Sequence, residues 1–361
     1  MISKLLAERK LPSLLRLSDG GAVTAENWEQ RRQELIAVLG ENIYGHLPER
    51  YASAQWKEIR KEVSAAGKAM TRDVEISIFA PDGNSFTFPV TVTVPFTAKP
   101  DSPKPTFVSI SFGKPQYYPM EELVDQDVIV AEMVMNQIAL DEEDHYENLI
   151  AKQFYPDGKR SCNGPGKIGM WAYAASGVLD YLLSMECVDK ERVGVVGHSR
   201  LGKTALWTAA NDTRFTHAFS NESGCAGAAI TRKKAGESFP EIYQRFPYWF
   251  CENMCQWSDC VDRIDEAEFD QHYLLAAIAP RKIYVSSAQQ DQWADPVSEF
   301  LCCCAASEAW ELLGNEGFIC KDRLPEPGDV FTEGNIGYHL RSGTHFLSRY
   351  DWVRFCDFIK K

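Results

Sequence analysis

The sequence predicts an α/β fold built on a doubly wound, mostly parallel sheet, and three observations carry that prediction. Apolar runs of strand length alternate with segments of helical period through the second half of the chain. This is the pattern of strand–helix–strand units covered on both faces. With 361 residues, 45% apolar, 25% charged and 12% aromatic, the composition is that of a globular protein with ample core. No internal repeat or low-complexity tract interrupts it, so 1–361 reads as one domain, with an N-terminal cap over 1–70 and a core over 71–361.

The cap is expected to be helical. Segment 26–39, ENWEQRRQELIAVL, carries apolar residues at helical spacing and stops at Gly40. From 73 to 94 the period changes to two: Val74, Ile76 and Ile78 alternate with polar residues, then Phe88, Val90, Val92 and Val94 do much the same. Pro81-Asp82-Gly83-Asn84 between them is turn chemistry, which makes a β-hairpin or a pair of adjacent strands. After a proline-rich link at 95–105, segments 106–112 and 127–133 read as short buried strands. A helix follows over 171–185, then a strand over 192–196 and a helix from about Leu201 to 210. The pattern closes with a strand at 215–220, helical segments at 239–256 and 266–277, a strand at 281–287, and helices at 297–313 and 350–359.

A formal charge of −13 argues against nucleic acid or an anionic membrane as a partner. The first 17 residues are interrupted by Lys4, Glu8, Arg9 and Lys10, so no secretory apolar core is expected, and no run approaches transmembrane length. A cytoplasmic location follows as an expectation, and the eleven cysteines then read as reduced thiols. Cys251, Cys255 and Cys260 are spaced by four and five residues, which matches no common zinc pattern. They are expected to pack on an aromatic-rich helix with Tyr248, Trp249, Phe250 and Trp257, and no metal or organic cofactor is expected.

Residues 193–204, VGVVGHSRLGKT, fit two motifs at once. Gly197, Gly202, Lys203 and Thr204 satisfy the phosphate-loop pattern, while Ser199 between a strand and a helix satisfies a nucleophile elbow of the α/β-hydrolase type. A phosphate cradle needs small residues with exposed amides, yet His198, Arg200 and Leu201 are bulky. It also needs a later apolar strand ending in an acid for Mg²⁺, and five small or polar residues separate the run at 282–285 from Asp291. The hydrolase reading is the better one, although Leu201 stands where its second glycine belongs and Gly202 comes one residue later.

A nucleophilic serine needs a base, and the base needs a carboxylate. Of seven histidines, His345 in Arg341-Ser-Gly-Thr-His345 lies in a loop before the last helix, where hydrolase chain order delivers the base; His339 belongs to the approach to it. Two acids compete: Glu222 in Ser220-Asn-Glu-Ser-Gly224 and Asp291 in Gln289-Gln-Asp-Gln-Trp293, the usual hydrolase location. Asp295 before Pro296 reads as a helix N-cap.

The run Gly197-His198-Ser199-Arg200-Leu201-Gly202-Lys203 resembles the G-x-S-R-x-G-K signature of the glucuronoyl esterases, carbohydrate esterase family 15. The similarity continues through Asn221-Glu222-Ser223-Gly224, Arg232 to Glu237, Phe246-Pro-Tyr-Trp249-Phe250, the 291–296 block and Gly343-Thr-His345. It extends back to Trp28, Arg31, Arg32, Tyr44, Gly45 and Pro48. The resemblance implies an α/β-hydrolase fold and a serine carboxylic-ester hydrolase acting on uronate esters. Its principal acid is the one 23 residues past the serine (199 to 222), hence Glu222, with Asp291 supporting or sharing that role. It further implies that Arg200 contributes to the oxyanion hole, that Lys203 bonds sugar hydroxyls, and that Glu237 and Trp293 hold the uronate ring. Segment Ser111-Phe112-Gly113-Lys114 departs from the loop expected on the oxyanion side. An acetyl-xylan or general carbohydrate esterase is the alternative, followed by a phosphate-loop NTPase and a non-catalytic sugar-acid binding protein.

Overall fold

The computed structural model describes residues 1–48, 50–113 and 119–361; Lys114 lies outside them. Ten strands among the described residues form one sheet: β1 Ser53–Ser64, β2 Ala69–Phe79, β3 Ser85–Pro95, β4 Lys104–Ser111, β5 Ile129–Val134, β6 Val188–His198, β7 His217–Asn221, β8 Lys282–Ala288, β9 Val330–Phe331 and β10 Ile336–Arg341. Their order is β1-β2-β3-β5-β4-β6-β7-β8-β10-β9. From β5 to β10 every pairing is parallel. The flanking strands β1 to β3 and β9 are antiparallel.

The helices are α1 Ile2–Arg9, α2 Trp28–Leu39, α3 Met120–Asp125, α4 Ala151–Phe154, α5 Lys167–Leu183, α6 Arg200–Asn211, α7 Phe239–Arg245, α8 His272–Ala276, α9 Pro296–Leu312 and α10 Arg349–Ile359. Successive strand residues point to opposite faces, and each face has its own cover. Val108, Val195, Ala218 and Ile283 pack beneath α5, α6 and α9 with Trp171, Trp207 and Trp310. Their neighbours Phe107, Val196, Phe219 and Tyr284 pack beneath α3 and α10 with Leu123, Trp352, Phe355 and Phe358. This is the doubly wound sheet the alternation predicts. The chain moves one way from β4 to β5 and the other way from β6 onward, so a crevice opens at the carboxyl ends of β4 and β6.

Two expectations are corrected. The cap over 1–70 is helical only as far as a π-turn at Gly40–Tyr44; β1 then runs along the sheet edge. Almost every β1 residue is solvent-exposed, including Trp56, Ile59 and Val63. With no buried face it carries no apolar period, and its backbone ladder to β2 alone makes it a strand. The second correction concerns 239–256 and 266–277. Only α7 and α8 are α-helical there; 3-10 turns occupy Pro247–Trp249, Glu252–Trp257 and Val261–Glu266. Pro247 cannot supply the N–H that would continue α7. In consequence only Cys251 of the three spaced cysteines is buried, while Cys255 and Cys260 face solvent. No helix among the described residues is long and apolar enough to cross a membrane.

Candidate active site

Ser199 follows the last residue of β6 at φ 57° and ψ −125°, a strained conformation for a residue with a Cβ. Two glycines make that turn sterically possible. A Cβ on Gly197 would lie 2.0 Å from the Leu201 carbonyl oxygen, and one on Gly202 would meet Ser220 Oγ and Ser223 Cβ at 3.0 Å. The glycine displaced by one position is therefore the one that lets α6 approach the end of β7. Three backbone amides of the turn are already used: Ser199 N–H donates to Asn221 O at 2.9 Å, and those of Gly202 and Lys203 donate to Ser199 O. Lys203 Nζ donates to Ser223 O at 2.6 Å from a buried position. A phosphate cradle would need those donors free, so the phosphate-loop match has no structural counterpart.

His345 sits in the loop between β10 and α10, beside both candidate acids. Its Nδ1 lies 2.7 Å from Asp291 Oδ2 and 3.3 Å from Glu222 Oε2. Burial works against the imidazolium, but the two carboxylates outweigh it and raise the His345 pKa to about 9. Their own environments differ. Burial pushes Glu222 up to about 7 despite His345 and Arg341. Burial also acts to raise Asp291, but the hydrogen bond to His345 prevails and holds it below the ordinary range.

Glu222 is tied down on its other side. Its Oε1 accepts from Arg341 Nη2 at 2.5 Å, and its Oε2 accepts from the Phe346 N–H at 2.8 Å. Arg341 Nε also donates to both oxygens of the buried Asp351. Asp351 in turn receives His339 Nε2 at 2.8 Å and closes the capping box of α10 with Ser348. The loop bearing His345 thus hangs from a buried chain of charges running from Glu222 to the first turn of α10.

Two cavities meet at Ser199, Arg200 and His345. One, about 280 Å³, is lined by Lys203, Glu237, Arg245, Trp249 and Trp293. Burial lowers the Lys203 pKa while Glu237 opposes that shift. Gly236 at φ 67° lets the loop carrying Glu237 press on the Gln292 and Trp293 carbonyls, where a Cβ would stand 2.4 and 2.5 Å away. The other cavity, about 270 Å³, is lined by Ile110, Phe112, His198, Phe346 and Leu347. Arg200 bounds both. Its guanidinium lies 4.4 Å from the Trp249 ring centre and pairs with Asp141.

A family pattern described as Glucuronyl esterase, fungi, matches residues 76–314. Carbohydrate esterase MZ0003, from an unknown prokaryotic organism, is 31% identical over 96% of this chain and 88% of its own length. The chain belongs to the glucuronoyl esterase family. A glucuronoyl esterase from Solibacter usitatus superposes at a TM-score of 0.86, with 32% identity and 97% of each chain covered. A promiscuous family 15 esterase from a marine bacterial metagenome superposes equally well, at 29% identity, 97% of this chain and 96% of its own.

As a member of that family the chain is a carboxylic ester hydrolase with an α/β-hydrolase fold. All eight residues singled out from the sequence (Ser199, Arg200, Lys203, Glu222, Glu237, Asp291, Trp293 and His345) line the one cavity. Arg341 and Asp351 were not singled out. Arg341 had a signal, standing four residues before His345 in the same block; Asp351 in the terminal helix had none. Asp141, in a loop of four acids within 141–144, had none either.

Proposed function

We propose that this esterase hydrolyses esters of glucuronic or 4-O-methylglucuronic acid by two-step acyl transfer through Ser199. The observation that carries the reading is the single cavity in which Ser199, His345 and two carboxylates share walls with Lys203, Glu237 and Trp293. A sugar acid needs donors and acceptors for its hydroxyls and an apolar ring face, and this wall supplies all three. The 4-O-methyl-glucuronoyl methylesterases of Schizophyllum commune and Podospora anserina, 28% and 26% identical over 85% and 82% of this chain, support the same acyl group.

In this mechanism His345 takes the Ser199 proton as the serine oxygen attacks the ester carbonyl. Asp291 and Glu222 stabilise the imidazolium that results; the shorter contact favours Asp291 as the principal partner, where the resemblance implies Glu222. The Arg200 N–H at the start of α6 and its guanidinium face the developing oxyanion, a type of stabilisation worth roughly 10²–10³ in rate per donor. His345 then protonates the leaving alcohol and activates water against the acyl-enzyme.

The test is hydrolysis of benzyl glucuronate beside p-nitrophenyl acetate, by the wild type and by Ser199→Ala. Uronate turnover should dominate, and Ser199→Ala should remove on the order of 10⁴ or more of it. Preferential acetate turnover would move the enzyme to another esterase specificity, and residual uronate turnover in Ser199→Ala would remove the nucleophile assignment.

A further inference from the structure

We infer that Asp141 is a positioning residue for Arg200, acting on catalysis only through that side chain. The proposal rests on the reading above in one respect, the part given to the Arg200 guanidinium in stabilising negative charge.

The geometry is a two-sided clamp. Asp141 Oδ2 accepts from Arg200 Nη1, and Oδ1 accepts the Trp249 indole N–H at 2.7 Å. Trp249 is also the ring over which the guanidinium lies, with Phe112 and Phe246 rings 5.4 and 5.5 Å away. One carboxylate therefore fixes both the arginine and the aromatic plate beneath it. Asp141 is itself held: its N–H donates to Asn136 Oδ1 at 2.8 Å, and its carbonyl accepts from Tyr248 O–H at 3.1 Å. Three residues on, Asp144 pairs with the wholly buried Lys167, anchoring the same loop to α5.

The remaining donors of the guanidinium give the clamp a purpose. Nη1 is committed to Asp141, whereas Nε is buried and has no partner among the described residues. A buried cationic N–H without an acceptor is costly, which leaves the carboxylate on Nη1 as the contact that holds the side chain in place. An unrestrained arginine would lose much of its rotamer freedom each time it met the oxyanion; a clamped one has already lost it. The opposing effect is charge: the carboxylate cancels part of the field Arg200 exerts on the oxyanion. Because the guanidinium is delocalised and only Nη1 is engaged, orientation should outweigh that damping.

A double-mutant cycle decides it. Asp141→Ala should lower kcat about 10-fold or more with KM changed less than about threefold, because the aligned donor acts on the transition state. In an Arg200→Ala background the same substitution should change kcat by less than about twofold, since nothing is left for Asp141 to orient. Asp141→Asn keeps the side-chain volume and leaves one acceptor oxygen for two donors, so it should fall between wild type and Asp141→Ala and serves if the alanine variant folds poorly. Equal losses in both backgrounds, a loss confined to KM, or a kcat that rises would overturn the proposal. An Arg200→Ala variant with wild-type kcat would overturn it too. The cycle runs on whichever ester the wild type cleaves, so preference for acetate would unseat the substrate reading while leaving this one testable.

Discussion

The turn carrying Ser199 and the loop carrying His345 face each other across the same cavities, yet they are held by different forces. The serine turn is local and steric: Gly197 and Gly202 clear space for a strained residue, and three of its amides are satisfied within a few ångströms by Asn221 of β7 and by the Ser199 carbonyl. The histidine loop is non-local and electrostatic. Glu222 and Asp291 reach it from distant segments while Arg341 and Asp351 flank it, and Glu222, Arg341 and Asp351 form one buried chain of charges. The first region should therefore answer to added volume and be indifferent to pH; the second should tolerate volume and answer to charge.

The sharpest way to break this contrast is Arg341→Met, which keeps most of the volume and removes the cation between Glu222 and Asp351. Leaving two buried carboxylates without the cation they share should lower the unfolding free energy by about 3–5 kcal/mol, measured by urea unfolding at pH 8. Glu222 already sits above its ordinary value, and without Arg341 its folded pKa rises further. A carboxyl raised in the folded state stabilises when protonated and loses that contribution as pH rises through the folded value. The deficit should accordingly shrink toward pH 5. A deficit independent of pH would mean that Arg341 acts by packing.

Gly197→Ala probes the other side. Its Cβ meets backbone, which cannot rotate away, so a loss of about 3 kcal/mol is expected, together with most of the activity. That loss should be the same at pH 5 and pH 8. If it varies with pH, the serine turn is not the local steric device described.

Smaller effects separate the two acids. Asp291→Asn should lower kcat about 10²-fold, and Glu222→Gln about 10-fold, because the carboxylate left behind still meets the imidazole. Glu222→Gln should nevertheless lower Tm more, since Glu222 also holds Arg341 and the Phe346 N–H. The acid limb of kcat/KM reports loss of the neutral base. With His345 raised to about 9, the limb should lie well above the ordinary histidine value of 6.5. Removing Asp291 takes away the group that most favours the imidazolium, so the midpoint should move down. An unmoved midpoint in Asp291→Asn, with a shifted one in Glu222→Gln, would assign the principal role to Glu222.

What could be read from the residues alone follows the same division. β2 and β3 announced themselves through period two, each having a buried and a more exposed side, whereas β4 to β8 read as short apolar runs because both their faces are covered. The short elements α3, α4 and β9, and β10 itself, were not marked off in this way. The glycines, the serine and the histidine loop stood out because steric demand and chain order are properties of a short stretch. The edge strand β1 could not be read, having no buried side to leave a mark. The 3-10 turns after α7 passed for helix because apolar spacing does not distinguish a buried helix from a buried irregular segment.

The sequence by itself determined the doubly wound sheet, the tight turn at Ser199 and eight of the residues that line the cavity. Only the tertiary structure decided that both carboxylates meet one imidazole, and that Arg341 and Asp351 tie Glu222 to the last helix while Asp141 pairs with Arg200. The physical reason is that charge acts through space. An acid 54 residues from its histidine lies closer to it than one 123 residues away by 0.6 Å, a difference set by how β7, β8 and β10 lie in the sheet rather than by anything in the local pattern.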